Sequence, residues 1–125
     1  VNERVTQANL CEVEVTLEVV GGRWKGVILY HLLKGPQRFG QLRRLIPGVT
    51  QRMLTLQLRE LEQAGLIVRT VHDRVPPHVE YHLSDLGLSL RELVLSMRDW
   101  GRTYRAYLDT RQTAAPPEPS QDRPA

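Results

Sequence analysis

Three sets of side chains in this sequence could do chemistry. One is a single thiol, Cys11. The second is the imidazoles His31, His72, His78 and His82. The third is a run of hydrogen-bonding residues at helical spacing: Gln51, Arg52, Thr55 and Arg59, with Leu56 among them. One cysteine allows no intramolecular disulfide. It leaves an intersubunit bridge, a mixed disulfide or alkylation, each of which needs a thiolate. His72, His78 and His82 together with Cys11 invite a zinc reading, but their spacing matches no metal motif. Hairpin-surface positions account for them, and no metal is expected. An enzyme with Cys11 as nucleophile and His31 as base is also disfavoured. His31 lies within an apolar helix, and no glycine-rich or paired-carboxylate site accompanies it. The chain is therefore read as having no catalytic residues and no cofactor.

The third set belongs to TQRMLTLQLRELEQAGLI, residues 50–67. Leu54, Leu58 and Leu61 at i, i+4, i+7 make one apolar stripe on an α-helix. Thr50 is suited to cap it and Gly65 to end it. Arg52, Thr55, Leu56 and Arg59 lie away from the stripe. No carboxylate falls between Thr50 and Arg59; Glu60 and Glu62 then arrive together. A face kept free of negative charge suggests a negative partner.

The charge along the chain agrees. Residues 23–74 hold ten Lys or Arg against three Asp or Glu, a net of +7; the remainder hold seven against eleven, a net of −4, giving the overall +3. A basic middle between acidic flanks is the asymmetry of a nucleic-acid-binding module.

The other elements must position that helix. The 125 residues suffice for one domain. Residues 1–10 read as a loose arm. Residues 11–20 alternate apolar and polar, which favours a strand, although Val13, Leu17 and Val20 also fit a helical stripe. A helix over 23–35 presents Trp24, Val27, Ile28 and Leu32, with His31 beside them. A short helix over 38–46 turns Phe39, Leu42 and Leu45 inward and Arg43 and Arg44 outward. Pro47-Gly48 makes the turn into the helix of residues 50–64.

After Gly65 the period changes to two, so 66–72 and 79–83 form an antiparallel hairpin. Its loop, residues 73–78, contains two prolines and has a basic tip of Arg74 and His78. A long helix runs from Ser84, its N-cap, to about Asp109. Leu86, Leu90, Leu93, Met97, Trp100, Tyr104 and Leu108 recur at steps of four and three. Six turns of apolar seam exceed what one small domain covers, so Leu90, Leu93, Met97, Trp100 and Tyr104 are expected to meet a second copy. Residues 110–125 are proline-rich, polar and expected to be disordered. No apolar run approaches the ~20 residues of a membrane span, and VNERVTQANL lacks a signal-peptide core. A soluble cytoplasmic protein is expected.

The predicted fold is mainly α with a small β-hairpin: a winged helix-turn-helix domain over 11–109, ending in the long C-terminal helix. In this arrangement the third helix enters the major groove. Gln51, Arg52, Thr55 and Arg59 can then reach bases or phosphates, with Thr50 at the helix start and Leu56 against a thymine methyl. Arg38, Arg43 and Arg44 would lie near the backbone, and Arg74 and His78 near the next groove. Lys25 is a further candidate for phosphate, while Trp24 is read as core.

Here the sequence resembles the HxlR-type winged-helix transcriptional regulators of bacteria. The resemblance rests on GGRWKGVILYHLLKGPQRFGQLRRLIPGVTQRMLTLQLRELEQAGLIVRT, on VPPHVEYHLSDLG and on Trp100 late in the last helix. It implies a helix, not a strand, over 11–20. It also implies a homodimer joined by its first and last helices, and double-stranded DNA as partner, as a palindromic operator. Cys11 falls where some members carry a redox- or electrophile-sensing cysteine. Their motif often has proline next, where this chain has Glu12. Two alternatives accompany this reading: control by a small molecule bound near Trp24, Tyr30 and the dimer helices, and a protein–protein adaptor without DNA binding.

Overall fold

The computed structural model describes residues 10–113. Residues 10–94 form one compact unit and the helix from Leu95 onward another. In chain order the elements are α1 (Glu12–Val20), α2 (Lys25–Leu32), β1 (Gln37–Arg38), α3 (Phe39–Leu45), α4 (Gln51–Gln63), β2 (Ile67–His72), β3 (His78–Leu83), α5 (Asp85–Leu88) and α6 (Arg91–Thr113).

Residues 12–20 are helical. The alternation that suggested a strand fails because burial there is slight: Val20 is buried, while Val13 and Leu17 are exposed. With little core to face, periodicity reports little about conformation. The helix implied by the resemblance is the one observed.

The core gathers Ile28, Leu29 and Leu32 of α2, Leu42 of α3, and Leu54, Leu58 and Leu61 of α4. Ile46, Val49, Leu66, Ile67, Leu83 and Val94 complete it. Two inward assignments are corrected. Val27 and Leu45 are exposed, and Leu29 and Ile46 take the buried positions. In each case the buried residue is a near neighbour in the chain, so the helix is rotated relative to the stripe read from spacing.

The sheet has three strands in the order β1-β3-β2, all antiparallel. The hairpin register runs from Ile67↔Leu83 to His72↔His78. The third strand, β1, is only two residues long and pairs Gln37 with Tyr81 and Arg38 with Glu80. So short a strand leaves no alternation to read.

α4 has the predicted ends. The Met53 N–H donates to Thr50 Oγ1 at 3.1 Å, so one free amide of the first turn is satisfied. At the other end Gly65 has φ +81°. The Gly65 N–H donates to Glu62 O and the Leu66 N–H to Leu61 O, both at 3.0 Å. That bond pair is a Schellman motif, which satisfies two otherwise open carbonyls and turns the chain into β2.

The last helix is not continuous from Ser84. Ser84 caps only the one-turn α5, and the chain turns at Ser89-Leu90 before α6 begins. The Ser84 hydroxyl accepts from the Gly87 N–H at 3.0 Å and donates to Gly65 O, which ties α5 to the end of α4. Gly87 allows this close approach, because a Cβ there would lie 2.1 Å from Leu66 O.

Candidate nucleic-acid interface

α3, the Pro47-Gly48 turn and α4 form the helix-turn-helix. α3 starts with the Arg38 N–H donating to Gln41 Oε1 at 2.7 Å. The turn uses Gly48 at φ +86°, a conformation that side chains with a Cβ rarely adopt. The stripe of Leu54, Leu58 and Leu61 faces the core and fixes the opposite face outward.

That outward face carries Gln51, Arg52, Leu56 and Arg59, all exposed, with Thr55 half-buried beside them. Leu56 is 47% exposed and stands outside the buried core. Thr55 has a local task as well: its hydroxyl donates to Gln51 O at 2.8 Å, leaving its lone pairs to accept. Met53, exposed at 37%, also reaches this surface, and spacing had not singled it out.

Arg38, Arg43, Arg44 and Arg74 are exposed. Among the described residues no carboxylate pairs with them, nor with Arg52 or Arg59. Six guanidinium groups with no carboxylate partner among the described residues keep their charge available to an anion.

Two expected contacts lie elsewhere. Lys25 is not a free cation, because its Nζ lies 3.0 Å from Glu60 Oε1. His78 is not at the wing tip. It begins β3 opposite His72, with its side chain mostly buried and its Nε2 3.7 Å from Glu80 Oε1. The loop is therefore residues 73–77, and Arg74 is its basic residue. Trp24 is half-buried against the core, with the Arg23 guanidinium 4.4 Å above its ring.

Cys11 is an exposed thiol at the N-cap position of α1. Of the residues assigned to a second copy, Leu90 is half-buried against the core. Leu93, Met97, Trp100 and Tyr104 are exposed. Trp100 and Tyr104 stack at 5.2 Å and 11°, and Tyr104 and Tyr107 at 5.9 Å and 26°. Tyr107 extends this aromatic ladder; its spacing of three from Tyr104 was the available signal.

A helix-turn-helix with a hairpin wing and an exposed basic face on its second helix is the architecture of a DNA-binding transcriptional regulator. The HxlR-like helix-turn-helix family profile matches residues 19–109, and the chain belongs to that family. It is 52% identical over 104 residues to the uncharacterized HTH-type transcriptional regulator YdeP of Bacillus subtilis, covering 83% of this chain and 81% of that one. The solved structure of the redox regulator HypR in its reduced form is 50% identical, with TM-score 0.75, over 80% of this chain and 99% of that one. The oxidised form of HypR gives 53% identity and TM-score 0.72, over 74% and 96% of the two chains. The reduced form of the transcriptional regulator YodB from B. subtilis is 35% identical, with TM-score 0.66, over 73% and 90%. These relatives are regulators of transcription rather than enzymes. Among the described residues no helix is long and apolar enough to cross a membrane.

Proposed function

We propose that this regulator acts as a homodimer on a palindromic operator, with Cys11 as an oxidant- or electrophile-responsive thiol. Each α4 enters the major groove N-terminal end first. Gln51, Arg52, Thr55 and Arg59 read bases or phosphates there, Thr50 lies at the helix start and Leu56 touches a thymine methyl. Arg38, Arg43 and Arg44 hold the backbone, and Arg74 on the wing reaches the next groove. The observation that carries this reading is the outward face of α4, free of carboxylates up to Arg59 and unpaired among the described residues.

The exposed apolar residues support the dimer. Val13 and Leu17 on α1, and Met97, Trp100 and Tyr104 on α6, stand in water in the single chain. Large apolar side chains left exposed on a helix mark an interaction site. The thiol reading is supported by the exposure of Cys11 and by the similarity to HypR, which is described as a redox regulator in oxidised and reduced forms.

Footprinting and sedimentation test the proposal. The expected footprint is a pair of protected half-sites about 34–36 Å apart, or a multiple of that distance, made by a protein that sediments as a dimer. An oxidant such as diamide should change operator binding of the unaltered protein and leave Cys11→Ser unaffected. A monomer on a single unpaired site refutes the dimer. An equal oxidant response in Cys11→Ser refutes the sensor.

A further inference from the structure

We propose that His72, His78 and Glu80 form a binding site for a divalent transition metal of the zinc type across the open end of the wing. Spacing along the chain matched no metal motif and counted against a metal, because the three residues meet through strand pairing. His72 and His78 are directly opposed in the hairpin register, and Glu80 lies two residues further along β3. Alternation puts residues 78 and 80 on one face of the strand, and the opposed His72 shares it.

The donor atoms converge. The Nε2 atoms of both imidazoles are directed at the same carboxylate oxygen, Glu80 Oε1. His72 Nε2 is in contact with it and His78 Nε2 is 3.7 Å away. One donor atom from each residue lies within 4.8 Å of the others. Tetrahedral zinc, with bonds of about 2.0–2.2 Å, places its ligand atoms roughly 3.3–3.6 Å apart. Small side-chain adjustments close the remaining difference. The two rings are stacked, with centroids 4.7 Å apart and planes at 27°, so they share an orientation.

The surroundings suit a metal better than a free surface cluster would. The three side chains are 30%, 13% and 28% exposed, on a hairpin whose loop, residues 73–77, is fully open to solvent. Two neutral imidazoles and one carboxylate are borderline donors that favour zinc, cobalt, nickel or copper over magnesium or calcium. Three protein ligands leave a fourth position for water. The bound ion would join β2 to β3 at the point where the loop departs and so limit the positions open to Arg74. That effect on DNA binding rests on the functional reading above; metal binding itself does not.

The test is calorimetric titration of zinc chloride into the full chain, without DNA, in a non-chelating buffer at neutral pH. One zinc per chain with micromolar or tighter affinity is expected. Glu80→Gln and the double variant His72→Gln/His78→Gln should each lose more than the ~10–100-fold that outer-shell partners of a metal site carry. Cys11→Ser and His82→Gln should bind as the unaltered protein does. Because a hairpin variant could misfold, NMR of the unaltered protein gives a second reading: zinc should shift the ring signals of His72 and His78 and spare those of His31. No uptake, uptake lost in Cys11→Ser, or ring shifts confined to His31 or His82 would overturn the proposal.

Discussion

The ammonium of Lys25 lies 3.0 Å from the carboxylate of Glu60, joining the start of α2 to α4 where α4 turns acidic. This pair lies where the carboxylate-free face of α4 ends. The basic side chains before it are open, and the first carboxylate after Arg59 is already taken. Lys25→Met should therefore leave the salt dependence of DNA binding unchanged. Its effect should be on stability, about 0.5–1 kcal/mol, because Glu60 is partly exposed. Urea denaturation and a salt titration of binding check the two halves separately.

The open arginines should divide by task. Arg52→Ala should cost about 1–3 kcal/mol on the operator and relax preference at one base position. Arg43→Ala and Arg44→Ala should weaken binding to all sequences, each lowering the slope of log affinity against log salt by ~0.9. Binding measured at several salt concentrations on operator and shuffled DNA separates the two patterns.

Gly87 has no room for a side chain. A Cβ there meets the Leu66 carbonyl oxygen at 2.1 Å and its carbon at 3.1 Å, both backbone atoms. Gly87→Ala should destabilise the domain by about 1–3 kcal/mol or more, seen as a lower urea midpoint. Gly101→Ala has open space around its Cβ and should be neutral or slightly stabilising, since it is a helical glycine.

His31 predicts a pH dependence. Burial, and then the charge of Lys34, hold its imidazole below the ordinary 6.5. Its buried Nδ1 has no hydrogen-bond partner among the described residues. The folded state thus favours neutral His31, and below pH 6.5 the unfolded state binds more protons. The contribution of His31 to stability is complete above 6.5, falls as pH drops towards the folded-state value and is constant below it. Urea midpoints at pH 7.5 and 5.5 for the unaltered protein and His31→Leu isolate the effect; the variant should lose less on acidification.

The aromatic ladder of α6 should matter to assembly rather than to folding. Trp100 is 65% exposed and stacks on Tyr104 at 5.2 Å. If it meets a second copy, Trp100→Ala should cost ~2 kcal/mol or more of dimer affinity, as buried aromatic anchors do. Sedimentation over a concentration series reads this, and unchanged dimerisation would remove Trp100 from the interface.

The legible parts of the sequence were those with strong local physics. α4 was readable end to end: its leucine stripe is buried, Thr50 caps it and Gly65 ends it. The hairpin was readable from the change of period and from Pro76-Pro77. Three features were not. α1 buries only Val20, so its apolar pattern had no core to report on. β1 is two residues long, too short for periodicity. The break at Ser89-Leu90 interrupts an apolar spacing that continues across it, because neither residue is a strong helix breaker. At the site, position along α4 was enough to place Arg52, Leu56 and Arg59 outward. Partners across space were invisible, so the engagement of Lys25 by Glu60 and of His78 by the wing emerged only from the fold.

The most direct test of the central claim is a fluorescence-anisotropy titration of the reduced protein against the DNA upstream of its own gene. Shuffled DNA of equal length at the same salt is the control, and Arg52→Ala/Arg59→Ala is run in parallel. A regulator that reads sequence through α4 should prefer the upstream DNA by roughly a thousandfold or more, and the double variant should lose most of that preference. No binding to either DNA at low salt, or a preference that survives loss of both arginines, would contradict the account.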